Sequence, residues 1–282
     1  MRAVAARAPL ARVWVVALTA LALVCFAANS LLCRAALGPG SIDPARFTAI
    51  RLSSGALLLA ILTGGRIRGE WRAAFVMVLY AVTFSFAYVR LPAGAGALIL
   101  FGSVQLTMVG AAIAHGERPG MRAFVGLFLA LAGLVWLALP STHGASLVAS
   151  VSMAVAGSMW GAYSLIARRA GSALIDTAGH FARTLPAAAL LWFAAPAHAV
   201  HTSGVVFAVL SGAFASGVGY AIWATALPHL TATRAAVAQL LVPVLAAAGG
   251  IALLGERLTP RLAAAAACIL SGVALAMFGR RR

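Results

Sequence analysis

Apolar runs of about twenty residues, separated by short breaks of Arg, Gly and Pro, fill this chain from end to end. Ten segments have this character: 13–33, 47–63, 73–89, 94–114, 123–139, 145–167, 179–195, 204–223, 235–254 and 262–278. A helix needs roughly 20 mostly apolar residues to cross the hydrocarbon core of a bilayer. The pattern therefore predicts an all-α integral membrane protein with ten transmembrane helices. The breaks carry turn residues, as in Gly64-Gly65, Pro119-Gly120 and Pro140-Ser141, and none is long or polar enough for a soluble domain.

Composition agrees. Hydrophobic residues make up 63% of the 282 residues and charged residues 9%, too few charges for an exterior that faces water. The five acids, Asp43, Glu70, Glu117, Asp176 and Glu256, all fall between the apolar runs. A charge inside the bilayer costs several kcal/mol, so this placement is expected. The start, Arg2 to Arg12 followed by residues 13–26, resembles the charged and apolar regions of a signal peptide. The apolar run continues to Cys33, which favours a first spanning helix.

The net charge of +16 does not indicate a nucleic-acid partner. The basic residues are all arginine and stand singly or in twos and threes at the edges of apolar runs, where they orient spans. With the N-terminus inside, fourteen arginines fall on the cytoplasmic side and five (Arg34, Arg46, Arg90, Arg257 and Arg261) on the other. Arg51 and Arg183 lie a turn or so inside their helices. The bias places both termini in the cytoplasm. Exclusive use of arginine, with abundant alanine and glycine, points to a GC-rich bacterial source.

The sequence also repeats. A shift of 139 positions lays Gly116-Glu117-Arg118 on Gly255-Glu256-Arg257, Gly110 on Gly249, Arg122 on Arg261 and Gly133 on Gly272. A weaker match lays Ser30–Arg34 on Ser164–Arg168 and Phe47 on Phe181. Residues 1–140 and 141–282 thus read as two five-helix repeats. Five is odd, so the copies enter the membrane in opposite directions, an arrangement suited to alternating access around a site at their interface.

These residues resemble the drug/metabolite transporter superfamily, specifically its EamA-type members. The resemblance covers essentially the whole chain and is most specific in YVRLPAGAGALILFGSVQLTMVGAAIAHGERP and GYAIWATALPHLTATRAAVAQLLVPVLAAAGGIALLGERLTP. The family's repeat ends with a proline-bearing helix, a Gly-Glu-Arg turn and a glycine-bearing helix. The second half keeps all three in Pro243, Gly255-Glu256-Arg257 and Gly272, whereas in the first half Val104 stands where proline is usual, followed by Gln105. The resemblance implies a ten-helix carrier of the bacterial inner membrane, commonly exporting amino acids or related metabolites, with no cofactor.

Polar and aromatic residues inside the runs are the candidate substrate contacts, because lipid-facing positions exclude most of them. Asn29 in the first run serves either a helix–helix hydrogen bond or a substrate. In the third, Tyr80 and Thr83 lie at helical spacing and Ser85 does not join them; Tyr88 reads as an interfacial aromatic. Trp160 and Tyr163, three apart, and Tyr220 and Trp223, also three apart, are packing aromatics or one wall of a cavity for an apolar or aromatic moiety. Gln105 and Gln239 lie in otherwise apolar helices and need partners. His180 and Arg183 share a face; they snorkel to headgroups or capture a substrate carboxylate, a part open also to Arg51. Glu117 with Arg118, and Glu256 with Arg257, read as charge pairs that hold turns.

Other readings find less support. No acid lies mid-span, so a carboxylate proton relay is not expected, and His180 is the one obvious intramembrane titrating group. A membrane enzyme needs clustered catalytic groups; His198 and His201 sit three apart with no third ligand, and Cys25, Cys33 and Cys268 show no metal spacing. A lipid-handling protein would carry the same repeat, and oligomeric state is not legible.

Overall fold

The computed structural model describes residues 12–114, 120–138, 146–168, 171–196, 200–230, 235 and 238–278, and among these every regular element is helical. The order is α1 (Arg12–Leu37), α2 (Pro44–Leu62), α3 (Trp71–Tyr88), α4 (Ala93–Ala114), α5 (Met121–Ala138), α6 (Leu147–Ala167) and α7 (Ala173–Ala194). Then α8 (Thr202–Leu210) continues through a π-helical segment, Ser211–Val218, into α9 (Gly219–Ala226) and a 3-10 turn, Leu227–His229. The helices α10 (Leu241–Leu254) and α11 (Pro260–Phe278) follow. By length and composition, Arg12–Leu37, Pro44–Leu62, Trp71–Tyr88, Ala93–Ala111 and Thr202–His229 can each cross a bilayer.

Local chemistry sets the helix ends. Asp43 caps α2, its Oδ1 accepting the Ala45 N–H at 2.8 Å, and Pro44 supplies the fixed φ of the first helical position. Gly255 ends α10 in the left-handed region at φ 64°, where a side chain would be strained. α7 starts at Ala173, earlier than the run at 179–195 suggests, because Asp176 accepts the Ser172 N–H at 2.7 Å. This acid, expected between spans, therefore sits in the first turn of a helix, where negative charge complements the dipole.

Polarity is arranged inside out. Asn29, Arg51, Gln105, His180 and Gln239 are buried, whereas Phe75, Phe128, Leu190, Phe193 and Leu253 are exposed. Such a surface suits hydrocarbon, which imposes no penalty on exposed apolar groups.

α2 packs on α7, α3 on α6, and α1 on α8, the π-helical segment and α9. α4 lies against α6 and α10, α1 also meets α10, and α5 pairs with α11. Glycine makes the last contact close. A Cβ at Gly272 would strike the backbone of Gly126 and Ala130, and one at Gly133 would strike Cys268 and Ile269.

Candidate functional site

Among the described residues Arg51 is the largest fully buried side chain, 1% exposed. It lies seven residues into α2, about 10 Å along the axis at 1.5 Å per residue, in a hydrocarbon core about 30 Å thick. Its Nε donates to Ser216 Oγ at 3.0 Å, and its Nη2 donates to the hydroxyls of Tyr80 at 3.2 Å and Tyr220 at 2.9 Å. The guanidinium also stands over the rings of Tyr80 (5.2 Å) and Phe84 (4.9 Å). Among the described residues Nη1 has no hydrogen-bond partner and no carboxylate pairs with this arginine.

Asn29 closes the network. Its Nδ2 donates to Tyr80 Oη at 3.3 Å, and its Oδ1 accepts from Ser211 at 2.6 Å and Ser216 at 3.4 Å. Tyr220 Oη donates to Tyr80 Oη at 3.1 Å. The two serines are five apart and both reach one oxygen because their segment is π-helical, with an i to i+5 repeat. Residue types alone do not announce that geometry, so Ser211 and Ser216 were not foreseen. Their only sequence trace is the run of small residues in SGAFASGV.

Aromatic side chains wall the same centre. Trp160 lies 4.5 Å from Tyr220, 5.3 Å from Tyr80 and 5.3 Å from Phe26, ring centre to ring centre. Trp160 and Tyr163 stack at 5.5 Å, and Trp223 meets Phe26 edge-on at 5.7 Å. Trp160 Nε1 donates to Gln239 Oε1 at 3.3 Å, and His180 Nδ1 lies 3.2 Å from Tyr163 Oη. Eight of the ten candidate residues thus gather in one connected cluster. Gln105 is buried one turn along α4 from Phe101, which borders the centre; Arg183 lies about one turn along α7 from His180. The cluster encloses a void of about 10 Å³ bordered by Phe26, Asn29, Tyr80, Trp160 and Tyr220, room for about one water, so the centre is closed.

Four expectations change. In α3 it is Phe84, 5.2 Å from Tyr80, that continues the site; Thr83 donates to its own helix at Leu79 O, 2.7 Å away. Tyr88 is not interfacial: it is fully buried, and its hydroxyl donates to Ala93 O at 3.3 Å. Arg183 Nη1 donates to the carbonyls of Gly179 (2.9 Å) and Arg68 (3.2 Å), and its guanidinium lies over Trp71, which ties the α2–α3 loop to α7. Glu256 holds a helix end, but that of α4, and pairs with Arg34 while Arg257 is exposed. It can span that distance because Gly255 turns the chain back toward α4. Glu117, Arg118 and His198 lie outside the described residues. Among the described residues no three His, Cys, Asp or Glu side chains form a metal-ligand set.

The chain is similar to known proteins. The model of the EamA-like transporter family matches residues 147–278. The uncharacterized protein PA1977 of Pseudomonas aeruginosa is 49% identical over 270 residues, covering 93% of this chain and 94% of the relative. Probable amino-acid metabolite efflux pumps of Escherichia coli and Salmonella typhimurium are 29% and 26% identical, over 74% and 73% of this chain and the same shares of theirs. A crystal structure with 20% sequence identity superposes with a TM-score of 0.67 over 96% of this chain and 100% of the other, which is a likeness of fold.

Proposed function

The chain belongs to the EamA-like transporter family, and from that premise we propose that it is a bacterial inner-membrane secondary transporter that exports amino acids or related metabolites by alternating access. Membership makes it a small-molecule transporter embedded in the membrane. Direction, substrate class and mechanism are the proposal.

The observation that carries it is the closed polar centre. Asn29, Arg51 and Tyr80 come from α1, α2 and α3; Trp160, His180 and Tyr220 come from α6, α7 and α9. Each proposed repeat, 1–140 and 141–282, contributes three helices to one site within the bilayer. Polar groups in hydrocarbon are costly and are kept mainly where they serve a pathway; here Asn29, Tyr80, Trp160 and Tyr220 border a void that admits one water, and Arg51 and His180 bond to tyrosines of the same centre. A metabolite reaches such a site only if the helices move apart, first toward one side and then toward the other.

The packing supports ten spans in two inverted repeats. If the first five helices exchange with their counterparts in the second half, the α2–α7 and α5–α11 contacts map onto themselves. The α3–α6 contact maps onto that of α1 with α8, the π-helical segment and α9; the α4–α6 contact maps onto α1–α10. Gly133 and Gly272, paired by the repeat, both sit at the α5–α11 contact. The arginine bias supports cytoplasmic termini. The names of the two efflux-pump relatives support amino-acid metabolites as cargo.

A growth screen tests this reading. The protein is expressed in a bacterial host sensitive to toxic amino-acid analogues and dipeptides, with its membrane level measured by immunoblot. Protection against one chemical class is expected. Sensitivity equal to the empty vector for every compound, at full membrane expression, would overturn the export proposal.

A further inference from the structure

The centre of this site is rich in donors and poor in acceptors. A guanidinium has five N–H groups. Those of Arg51 on Nε and Nη2 reach Ser216, Tyr80 and Tyr220, while the two on Nη1 find no acceptor among the described residues. The Tyr80 hydroxyl receives donors from Asn29, Arg51 and Tyr220, so it is already filled as an acceptor. Asn29 Oδ1, the remaining strong acceptor of the network, is taken by Ser211 and Ser216. Trp223 Nε1, on an indole 5.7 Å from the Phe26 ring, adds a second buried donor with no hydrogen-bond partner among the described residues.

A buried positive charge without a counter-ion is costly, and removing a partner from a buried pair is costlier than never burying it. The π-faces of Tyr80 and Phe84 relieve the Arg51 charge in part. They offer no lone pair to Nη1. Among the described residues no acid offers one either, since Asp43, Glu70, Asp176 and Glu256 all stand at helix ends. Both missing elements, one negative charge and one set of lone pairs, would come together in a carboxylate. The neighbouring walls are rings: Phe26, Trp160 and Tyr220 border the void beside Tyr80.

We propose that this site recognises its cargo as an organic carboxylate, with Arg51 as the counter-ion and an apolar or aromatic body against Phe26, Trp160 and Tyr220. The proposal rests on the transport reading above and names the substrate class for that same centre. The carboxylate is the required group and an ammonium is not, because among the described residues no carboxylate pairs with Arg51 or bonds to Asn29, Tyr80 or Tyr220 to receive a cation there. Cationic amines are excluded by the same charge that captures acids.

The test uses an isosteric series on purified full-length protein in chloride-free detergent buffer: 3-phenylpropionate, 3-phenylpropionamide and 3-phenylpropylamine. Binding is read from tryptophan fluorescence and from the thermal shift. The acid is expected to bind about tenfold or more tightly than the amide, and the amine not at all; a charged hydrogen bond accounts for that factor. Arg51→Gln is expected to erase the acid's advantage and Arg51→Lys to restore part of it, which loss of fold alone would not do. The wild-type series decides the matter even if Arg51→Gln is poorly expressed. Equal binding of acid and amide, preference for the amine, or sodium chloride as effective as the acid would overturn the assignment. In those cases the transport reading stands, because it is tested separately by growth protection. Absence of binding by all three overturns the assignment too; only when growth protection is also absent does the transport reading fall with it.

Discussion

The carboxylate of Glu256 and the guanidinium of Arg34 stand 3.5 Å apart, joining the turn after α10 to the end of α1. Glu256 also accepts the Ala93 N–H through both oxygens, at 2.8 and 3.0 Å, and Arg34 donates to the carbonyls of Tyr88 and Val89. Four segments thus meet at one end of the bundle, the non-cytoplasmic end in the proposed orientation. An ion pair this exposed contributes up to about 1 kcal/mol, and a helix cap about as much. Glu256→Ala and Arg34→Ala are each expected to lose about 1–2 kcal/mol in SDS unfolding. The double variant should lose less than the two together. Additive losses would show that the residues act apart.

Trp160 and Gln239 satisfy each other within the bilayer. Gln239→Leu leaves the indole N–H without its acceptor and is expected to lower stability by about 1–3 kcal/mol. Adding Trp160→Phe should recover part of that loss, because both polar partners are then gone. A double variant worse than Gln239→Leu alone would assign the tryptophan a packing role that outweighs its hydrogen bond.

The apolar runs made the helices legible, and aromatic spacing made much of the centre legible. Trp160 and Tyr163 stack, and Tyr220 and Trp223 both meet Phe26, because residues three apart share a helix face. Arg51 and Arg183 both stand a turn inside a run, and only packing shows that one enters the core while the other reaches the carbonyls of Arg68 and Gly179. Ser216 was illegible because it depends on a π-helical register that residue types do not encode. Glu256 departs from expectation for a related reason: its partner, Arg34, is 222 positions away and is not the adjacent Arg257.

Gly272 and Gly110 make a matched comparison. A side chain at Gly272 meets the backbone of α5, whereas Gly110 has open space around it. Gly272→Leu is expected to reduce folded yield and to lower stability by about 1–3 kcal/mol or more, with Gly110→Leu close to wild type. Size-exclusion profiles and melting curves of the two variants report the difference. Equal behaviour would mean that α5 and α11 do not approach this closely.

Arg183→Ala separates the edge of the site from its centre. Loss of the contacts to Arg68, Gly179 and Trp71 is expected to lower the melting temperature by a few degrees. The order of preference among acid, amide and amine should be unchanged. A changed order would return Arg183 to the substrate.

Transport itself is tested most directly by counterflow. Purified protein is reconstituted in liposomes loaded with millimolar unlabelled amino acid or related metabolite, and radiolabelled tracer is supplied outside. The account predicts transient tracer accumulation for one chemical class, above protein-free liposomes and strongly reduced in Trp160→Ala, which opens the wall of the central void. Tracer uptake indistinguishable from protein-free liposomes across amino acids and related metabolites would contradict it.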